Sequence, residues 1–225
     1  MVEQTLQDRP RVRLKRHPER GRHDAQTVHA ILDEALFCHI GFVTDGQPYV
    51  IPTIHARRGE TLYVHGSTAS RMLRTLGGGV QACVTVTILD GLVLARSAFN
   101  HSMNYRSVLV LGRGRPVTEA GEMMRAFEAI TEHVAPGRWR EVRQPSPKEL
   151  KATAVLAFDL GEVSAKVRTG PPKDDEDDLD WPVWAGVLPM AMMPQPPSRD
   201  PLLAPDVPTP DYVRVYRRPG ADGAR

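Results

Sequence analysis

The chain has 225 residues, of which 41% are hydrophobic and 25% charged, a composition typical of a soluble protein with one full core. Its formal net charge is only +2, so the chain as a whole gives no electrostatic reason to bind nucleic acid or a membrane. No apolar run approaches the roughly 20 residues that span a bilayer, and nothing near the N-terminus resembles a signal peptide. Cys38 and Cys83 lack CxxC spacing, which favours buried thiols in a reducing, cytoplasmic compartment.

The first elements are a helix and a hairpin. Asp24 is a suitable N-cap for "AQTVHAILDEALFC", whose apolar residues recur at helical spacing. "HIGFVT" and "QPYVIPTIHAR" flank Asp45-Gly46, which is a strong hairpin signal. Because Pro48 and Pro52 cannot donate to a ladder, the second strand is predicted at an edge or bulged near Pro52. A turn at "RRGE" then leads to the strand "TLYVHG".

The middle of the chain continues this pattern. "STASRMLRTLGGG" predicts a short helix capped by Ser67 or Thr68. "VQACVTVTIL" and "LVLARSA" predict a second hairpin about Asp90-Gly91, and "YRSVLVLGRGRPV" a further strand. "TEAGEMMRAFEAITEHV" predicts a second amphipathic helix, "SPKELKAT" a helical turn, and "AVLAFDLGEVSAKVRTG" one or two last strands. The prediction is a mainly β (α+β) fold: a six-stranded antiparallel barrel with flanking short helices.

Composition divides the chain into three parts. We expect a flexible leader over residues 1–15, the barrel domain over 16–170, and a proline-rich C-terminal extension over 171–225. Twelve of the 20 prolines lie in that extension, together with the acidic run "KDDEDDLD", which is predicted to be solvated. Residues 181–193, "WPVWAGVLPMAMM", are too apolar for water, so we expect them to dock on the barrel or on a partner subunit.

Two polar stretches are candidate sites. At "YVHGSTASRMLRTL", a strand ends at Gly66 and a helix begins soon after, which places Ser67, Thr68, Ser70 and Arg71 together as a possible phosphate site. The alternative is a capped surface helix with an exposed arginine. The second stretch, "NHSMNYRS", lies between apolar strands and is either a polar loop or part of a site.

Several other chemistries find little support. His55, His65 and His101 have neither HxH nor HxxxH spacing, so no metal site is predicted. There is no GxSxG elbow for a serine hydrolase, and "GGG" is not the GxGxxG of a Rossmann cofactor site. The basic cluster "RPRVRLKRHPERGR" could be a nucleic-acid arm, but a solvated leader is favoured.

The order of strands, together with "DGQPYVIP", "LYVHGSTASRML" and "HSMNYRSVLVLGRG", resembles the pyridoxamine 5'-phosphate oxidase-like superfamily. The resemblance is nearest to its flavin-nucleotide-binding branch, which includes the nitroimidazole-resistance reductases, and it runs from about residue 16 to 189. It implies a split β-barrel homodimer with FMN in a groove at the subunit interface.

The resemblance also carries over individual residues. Ser70 and Arg71 match a Ser-Arg-Lys segment that grips the FMN phosphate, whereas Met72 stands where the family often has Lys. Arg106 and Ser107 align with an Arg-Gln pair of the family, and Arg106 would have to replace the lysine cation that is missing at Met72. The resemblance implies this cofactor-binding set: Pro52, Thr53, His65, Gly66, Ser67, Ser70, Arg71, Met72, Asn104, Tyr105, Arg106, Ser107 and Trp184.

The strand "VIPTIH" falls where the flavin ring edge lies in the family, and "PVWAGVLP" resembles a terminal segment whose Trp covers the flavin. Trp184 and Gly186 match that segment. Val187 and Leu188 occupy the stretch where the true oxidase has a substrate-binding Arg, so pyridoxamine phosphate is an unexpected substrate here.

The leading hypothesis is therefore an FMN-dependent oxidoreductase acting on a small molecule, with His65 and His101 as candidate acids or bases. The alternative is a non-catalytic protein of the same fold that binds flavin, deazaflavin or haem, with His55, His65 or His101 as an axial ligand. A nucleic-acid regulator is the third and weakest class. The expected assembly is a homodimer that binds neither nucleic acid nor a membrane.

Overall fold

The computed structural model describes residues 10–218, and the first nine residues of the predicted leader and the last seven of the extension lie outside them. The described residues form ten strands: β1 (Gly21–Arg22), β2 (Phe37–Thr44), β3 (Gln47–Arg58), β4 (Thr61–Ser67), β5 (Gln81–Leu94), β6 (Ser102–Arg113), β7 (Arg115–Pro116), β8 (Thr153–Asp159), β9 (Val163–Arg168) and β10 (Gly186–Pro189). Five α-helices accompany them: α1 (Ala25–Glu34), α2 (Arg71–Gly77), α3 (Ala120–Val134), α4 (Pro147–Ala152) and α5 (Asp211–Arg214).

All strand pairings are antiparallel, in the order β1-β9-β6-β5-β2-β3-β4-β8-β7, with β10 added to β5. This confirms the predicted mainly antiparallel barrel with short helices. The predicted count of six strands is too low, because two strands of only two residues and one of four add short pairings to seven longer strands.

The hairpin of β2 and β3 forms as predicted. Asp45 and Gly46 both have positive φ, 52° and 75°, the backbone that a two-residue hairpin turn requires. The turn fixes the register, so that Phe42 lies opposite Tyr49. Within residues 10–218, residues 47–54 of β3 pair with β2 alone, whereas residues 55–58 pair with β4. The proline-containing half of β3 is therefore an open edge, as expected.

β5 corrects the sequence prediction. The expected hairpin about Asp90-Gly91 is absent, because β5 is one 14-residue strand that pairs with β6 on both sides of that dipeptide. The register shifts between Leu89 and Gly91, which leaves Asp90 as a bulge. β10 pairs with the last part of β5, opposite Gly91–Leu94.

The helices close and flank the barrel. In α1 the Asp24 carboxylate accepts a bond of 2.7 Å from the Thr27 amide, and the helix buries Val28, Ile31 and Leu32 in the barrel core. α3 packs outside the barrel, where Ala126 and Ile130 join a second cluster with residues of β3, β4 and β8. The N-cap of α2 is Ser70, not the predicted Ser67 or Thr68, because β4 continues to Ser67 and a turn follows it.

The C-terminal extension returns to the barrel. The Asp174 carboxylate accepts hydrogen bonds from the backbone and the guanidinium of Arg96, both at 2.8 Å, so part of the acidic run is an anchor instead of a solvated segment. At the far end, Arg218 donates to the carbonyls of Asp33, Glu34 and His133, at the ends of α1 and α3. No helix within residues 10–218 is long and apolar enough to cross a membrane.

Candidate functional site

The junction between β4 and α2 brings together one half of the predicted set. The Ser67 carbonyl accepts a bond of 2.9 Å from the Ser70 amide, and the Ser67 hydroxyl accepts one of 3.1 Å from the Ala69 amide. Gly66 lies against α2, since a Cβ there would come within 3.0 Å of the Leu73 side chain. The tight turn therefore brings Ser67, Ser70 and the exposed Arg71 together in the short segment between β4 and α2.

Arg71 has an aromatic partner that sequence reasoning missed. Its guanidinium carbon lies 4.4 Å from the centroid of the Tyr49 ring, within cation–π range. Tyr49 in turn stacks on Phe42, with ring centroids 5.6 Å apart and an interplanar angle of 21°. The signal was present in the sequence, because a two-residue turn at Asp45-Gly46 sets Phe42 opposite Tyr49.

The open edge of β3 begins beside this junction. Within residues 10–218, residues 49–54 have no strand on their outer side, so this edge offers unpaired backbone carbonyls and the N–H groups of outward-facing residues other than proline. Thr53 lies roughly 13 Å along the strand from Tyr49, at about 3.3 Å per residue. A cationic group and hydroxyls at one end, and backbone donors and acceptors along the edge, suit an elongated anionic ligand.

Met72 and His65 lie next to this surface. Met72 is 6% exposed and packs in the barrel core, so its side chain supplies no contact at the junction. His65 is half-buried in β4, with its ring centroid 6.0 Å from that of Phe127. Its Nδ1 is buried without a hydrogen-bond partner among residues 10–218, and burial lowers the pKa of the imidazole.

The second half of the predicted set lies on β6, and its central member is already engaged. The Arg106 guanidinium makes four hydrogen bonds: two to the Glu34 carboxylate, one of them 2.8 Å, and two to the Asp90 carboxylate, of 2.7 and 3.0 Å. These bonds raise the pKa of Arg106 above its usual value. Arg106 therefore does not present a free cation that could replace the Lys missing at position 72.

The neighbours of Arg106 have structural partners as well. Asn104 is 8% exposed; its side chain accepts from Arg168 and donates to the Gly170 carbonyl at 3.1 Å. The Ser107 hydroxyl lies 3.5 Å from the Lys166 carbonyl, and Tyr105 is half-buried in the same strand. The stretch "NHSMNYRS" is thus largely strand, not the polar loop that was one of its two interpretations.

His101 and Trp184 lie at the surface. His101 is exposed, and its Nδ1 lies 2.9 Å from the Ser97 carbonyl. Trp184 is 67% exposed, and its ring covers Gly186 so closely that a Cβ there would lie 2.8 Å from it. Val187 and Leu188 follow in β10, where they pair with β5.

A cleft of about 360 Å³ opens beside Arg106. It lies between the C-terminal end of α1, the bulge of β5 and Met190–Met193 of the extension, with Phe37 and Leu89 in its walls. The volume is within the range of small-molecule sites, and the walls are mainly apolar.

Comparison with known proteins decides the family. A sequence profile of the pyridoxamine 5'-phosphate oxidase family matches residues 24–167, which include the barrel from α1 to β9. The chain belongs to the pyridoxamine 5'-phosphate oxidase family. No curated protein matches the chain.

Two solved structures are similar over almost their whole length. The flavocytochrome Anf3 of Azotobacter vinelandii is 41% identical, with 93% of this chain and 98% of that one covered and a TM-score of 0.87. An FAD and haem binding protein of Mycobacterium smegmatis is 35% identical, with 87% and 96% covered and a TM-score of 0.83. A candidate 5-nitroimidazole antibiotic resistance protein of Bacteroides thetaiotaomicron is 22% identical, with 65% of this chain and 86% of that one covered. Its TM-score of 0.54 shows that the two proteins share the fold.

Proposed function

We propose that this protein binds a flavin nucleotide, with the phosphate at the β4–α2 junction and the ring along the open edge of β3, and that it acts as a redox protein on a small molecule. The observation that carries the proposal is the cation and hydroxyl cluster beside an unpaired strand edge. Two similar proteins of known structure, each more than 30% identical to this chain and described as a flavocytochrome and as an FAD and haem binding protein, support it.

The residues at the junction fit a phosphate. Arg71 is exposed and has no carboxylate within 4.0 Å among residues 10–218, so its donors are available for a bidentate pair. Ser67 and Ser70 use their hydroxyl oxygens as acceptors for backbone amides, which leaves both hydroxyl hydrogens free to donate. A bound flavin would supply the electron transfer itself. The protein's own groups bind the phosphate, orient the ring and exclude water from one face.

The flavin nucleotide could be FMN or FAD. FMN is our proposal, since its terminal phosphate suits a single guanidinium with two hydroxyls. FAD is the alternative, favoured by the description of the Mycobacterium smegmatis protein. Release of the cofactor by denaturation, followed by chromatography against both standards, identifies which one is carried.

We also propose a homodimer. Apolar side chains on β2 and β3 point away from the core, and four of them are more than a third exposed: Phe37 (45%), Val43 (53%), Val50 (68%) and Ile54 (39%). A second copy of the chain would bury this face and bring further groups to the open edge of β3. A monomer in sedimentation that still holds flavin would contradict the dimeric site.

Haem is a second candidate group, because both near relatives have descriptions that include a cytochrome or haem. Of the three histidines considered as axial ligands, His55 is fully buried with its Nε2 2.9 Å from the Leu32 carbonyl, and the His101 Nδ1 is engaged by Ser97. His65 also has an Nδ1 without a partner among residues 10–218, as His55 does, but it is only half-buried, so it is the best placed. Loss of a Soret band in His65→Ala, with the flavin bands retained, is the expected result.

The absorption spectrum of the purified protein tests the proposal. We expect flavin bands in the protein as isolated, or after addition of FMN or FAD and removal of the excess. A Soret band besides them would add haem. A colourless protein that retains neither flavin after addition would refute the proposed function.

A further inference from the structure

The guanidinium of Arg71 is held by an aromatic ring instead of a carboxylate. It lies 4.4 Å over the centroid of Tyr49, and among residues 10–218 no acidic side chain is within 4.0 Å of it. A planar guanidinium over an aromatic face keeps its N–H donors in its own plane, directed outward and free for an anion. An ion pair with Asp or Glu would instead occupy those donors, as Glu34 and Asp90 occupy those of Arg106.

Tyr49 itself has little freedom to move. Phe42, which is 4% exposed, stacks on the Tyr49 ring, and the two residues are cross-strand neighbours in the hairpin. The positive φ values of Asp45 and Gly46 fix the register of that hairpin. Tyr49 thus has two contacts: its half-buried ring stacks on the buried ring of Phe42, and the exposed Arg71 cation lies over the same Tyr49 ring.

We infer that Tyr49 is a positioning residue for the flavin phosphate: its ring holds the Arg71 guanidinium flat beside Ser67 and Ser70, with the donors directed at the anion. This inference rests on the proposed function and adds to it the residue that aims the phosphate-binding cation. Tyr49 acts through its ring face, so the hydroxyl is dispensable. Because it acts through Arg71, it affects flavins with a phosphate and leaves riboflavin, which has none, unaffected.

The experiment compares FMN with riboflavin in binding titrations followed by flavin fluorescence. In Tyr49→Leu we expect FMN to bind about three- to tenfold more weakly and riboflavin to bind as in the wild type. Tyr49→Phe is the matched control, because it keeps the ring and should bind FMN like the wild type. Wild-type protein that binds neither flavin refutes the proposed function, whereas a Tyr49→Leu protein that binds FMN normally refutes this inference alone.

A second variant changes Arg71, the other partner of the contact with Tyr49. Arg71→Lys keeps the charge but loses the planar group, and it changes no buried contact, since Arg71 is exposed. We expect it to weaken FMN binding, and we expect Tyr49→Leu to have little further effect in the Arg71→Lys background. Equal weakening of FMN and riboflavin in Tyr49→Leu, or full additivity of the two substitutions, would show that Tyr49 only supports the barrel and would overturn the inference.

Discussion

Three arginines of this protein have different roles, which follow from what lies within reach of each guanidinium. Arg106 meets two carboxylates and makes four hydrogen bonds, so it is a structural cross-link between α1, the bulge of β5 and β6. Arg218 meets carbonyls and ties the chain's end to α1 and α3. Among residues 10–218, the Arg71 guanidinium contacts an aromatic face and no carboxylate, and of these three arginines it is the one whose donors remain for a ligand.

The Arg106 cross-link gives the first prediction. Glu34→Gln removes one of its two charged acceptors, and the side chains of both residues are mostly buried, so we expect the free energy of unfolding to fall by about 1.5–3 kcal/mol. Urea unfolding measures it. The exposed pair Arg58–Glu128, at 3.5 Å, is the control, and Glu128→Gln should cost less than about 1 kcal/mol. If Glu34→Gln weakened FMN binding without loss of stability, Arg106 would belong to the phosphate site after all.

Two neighbouring imidazoles give a pH prediction. The rings of His55 and His133 lie 4.9 Å apart. Burial and the nearby charge of His55 lower the pKa of His133 to about 4, and burial also lowers the pKa of His55. Because the pKa of each imidazole in the folded protein lies below the ordinary value of 6.5, the stability contributed by the two neutral rings is complete above pH 6.5. That stability is lost as the pH falls toward 4.

Urea unfolding at pH 7.5 and at pH 5 tests this directly. We expect His133→Gln to lose less stability than the wild type over this interval, by up to about 1.4 kcal/mol per pH unit. Identical pH dependence in the two proteins would contradict the assignment.

At the scale of elements, the close approach of β10 to β5 depends on a glycine. A Cβ at Gly91 would lie 3.0 Å from the Val187 side chain and 3.1 Å from the Leu188 carbonyl, so a larger side chain must displace β10. For Gly91→Val we predict faster amide exchange at Val187, Leu188 and Met190. Gly112→Val in β6 is the control, because no atom lies within 4 Å of a Cβ there. Unchanged exchange in Gly91→Val would show that β10 is held by other contacts.

The same elements show what the sequence could and could not predict. α1, α3 and the hairpin of β2 and β3 are encoded locally, by apolar spacing, by the cap at Asp24 and by the Asp45-Gly46 turn, and they were predicted. The dipeptide Asp90-Gly91 looks the same locally, yet it forms a bulge because β6 continues to pair beyond it. Whether such a dipeptide turns or bulges depends on strands distant in sequence.

In the candidate site, too, contacts between residues close in sequence could be predicted and contacts between distant residues could not. Ser67, Ser70 and Arg71 lie within five residues of one another, and the structure brings them together. The partners of Arg106 are 16 and 72 residues away, and nothing near "NYRS" indicates that two carboxylates meet there. The carboxylates that engage Arg106 are tertiary contacts that local sequence does not encode.

At the scale of the whole molecule, the exposed apolar face of β2 and β3 predicts a dimer. Val50→Asp places a charge on that face, where the side chain is 68% exposed, and we expect it to yield monomers in sedimentation. Val215→Asp, at a position with the same 68% exposure in the extension, is the matched control and should remain dimeric. Dissociation of both variants, or of neither, would place the interface elsewhere.

A crystal structure of the protein with FMN is the most direct test of whether the β4–α2 junction holds a flavin phosphate. We predict phosphate density within hydrogen-bond distance of Arg71, Ser67 and Ser70, with the Arg71 guanidinium still over the Tyr49 ring and the isoalloxazine along Pro52 and Thr53. FMN bound elsewhere in the protein, with solvent at the junction, would contradict the account.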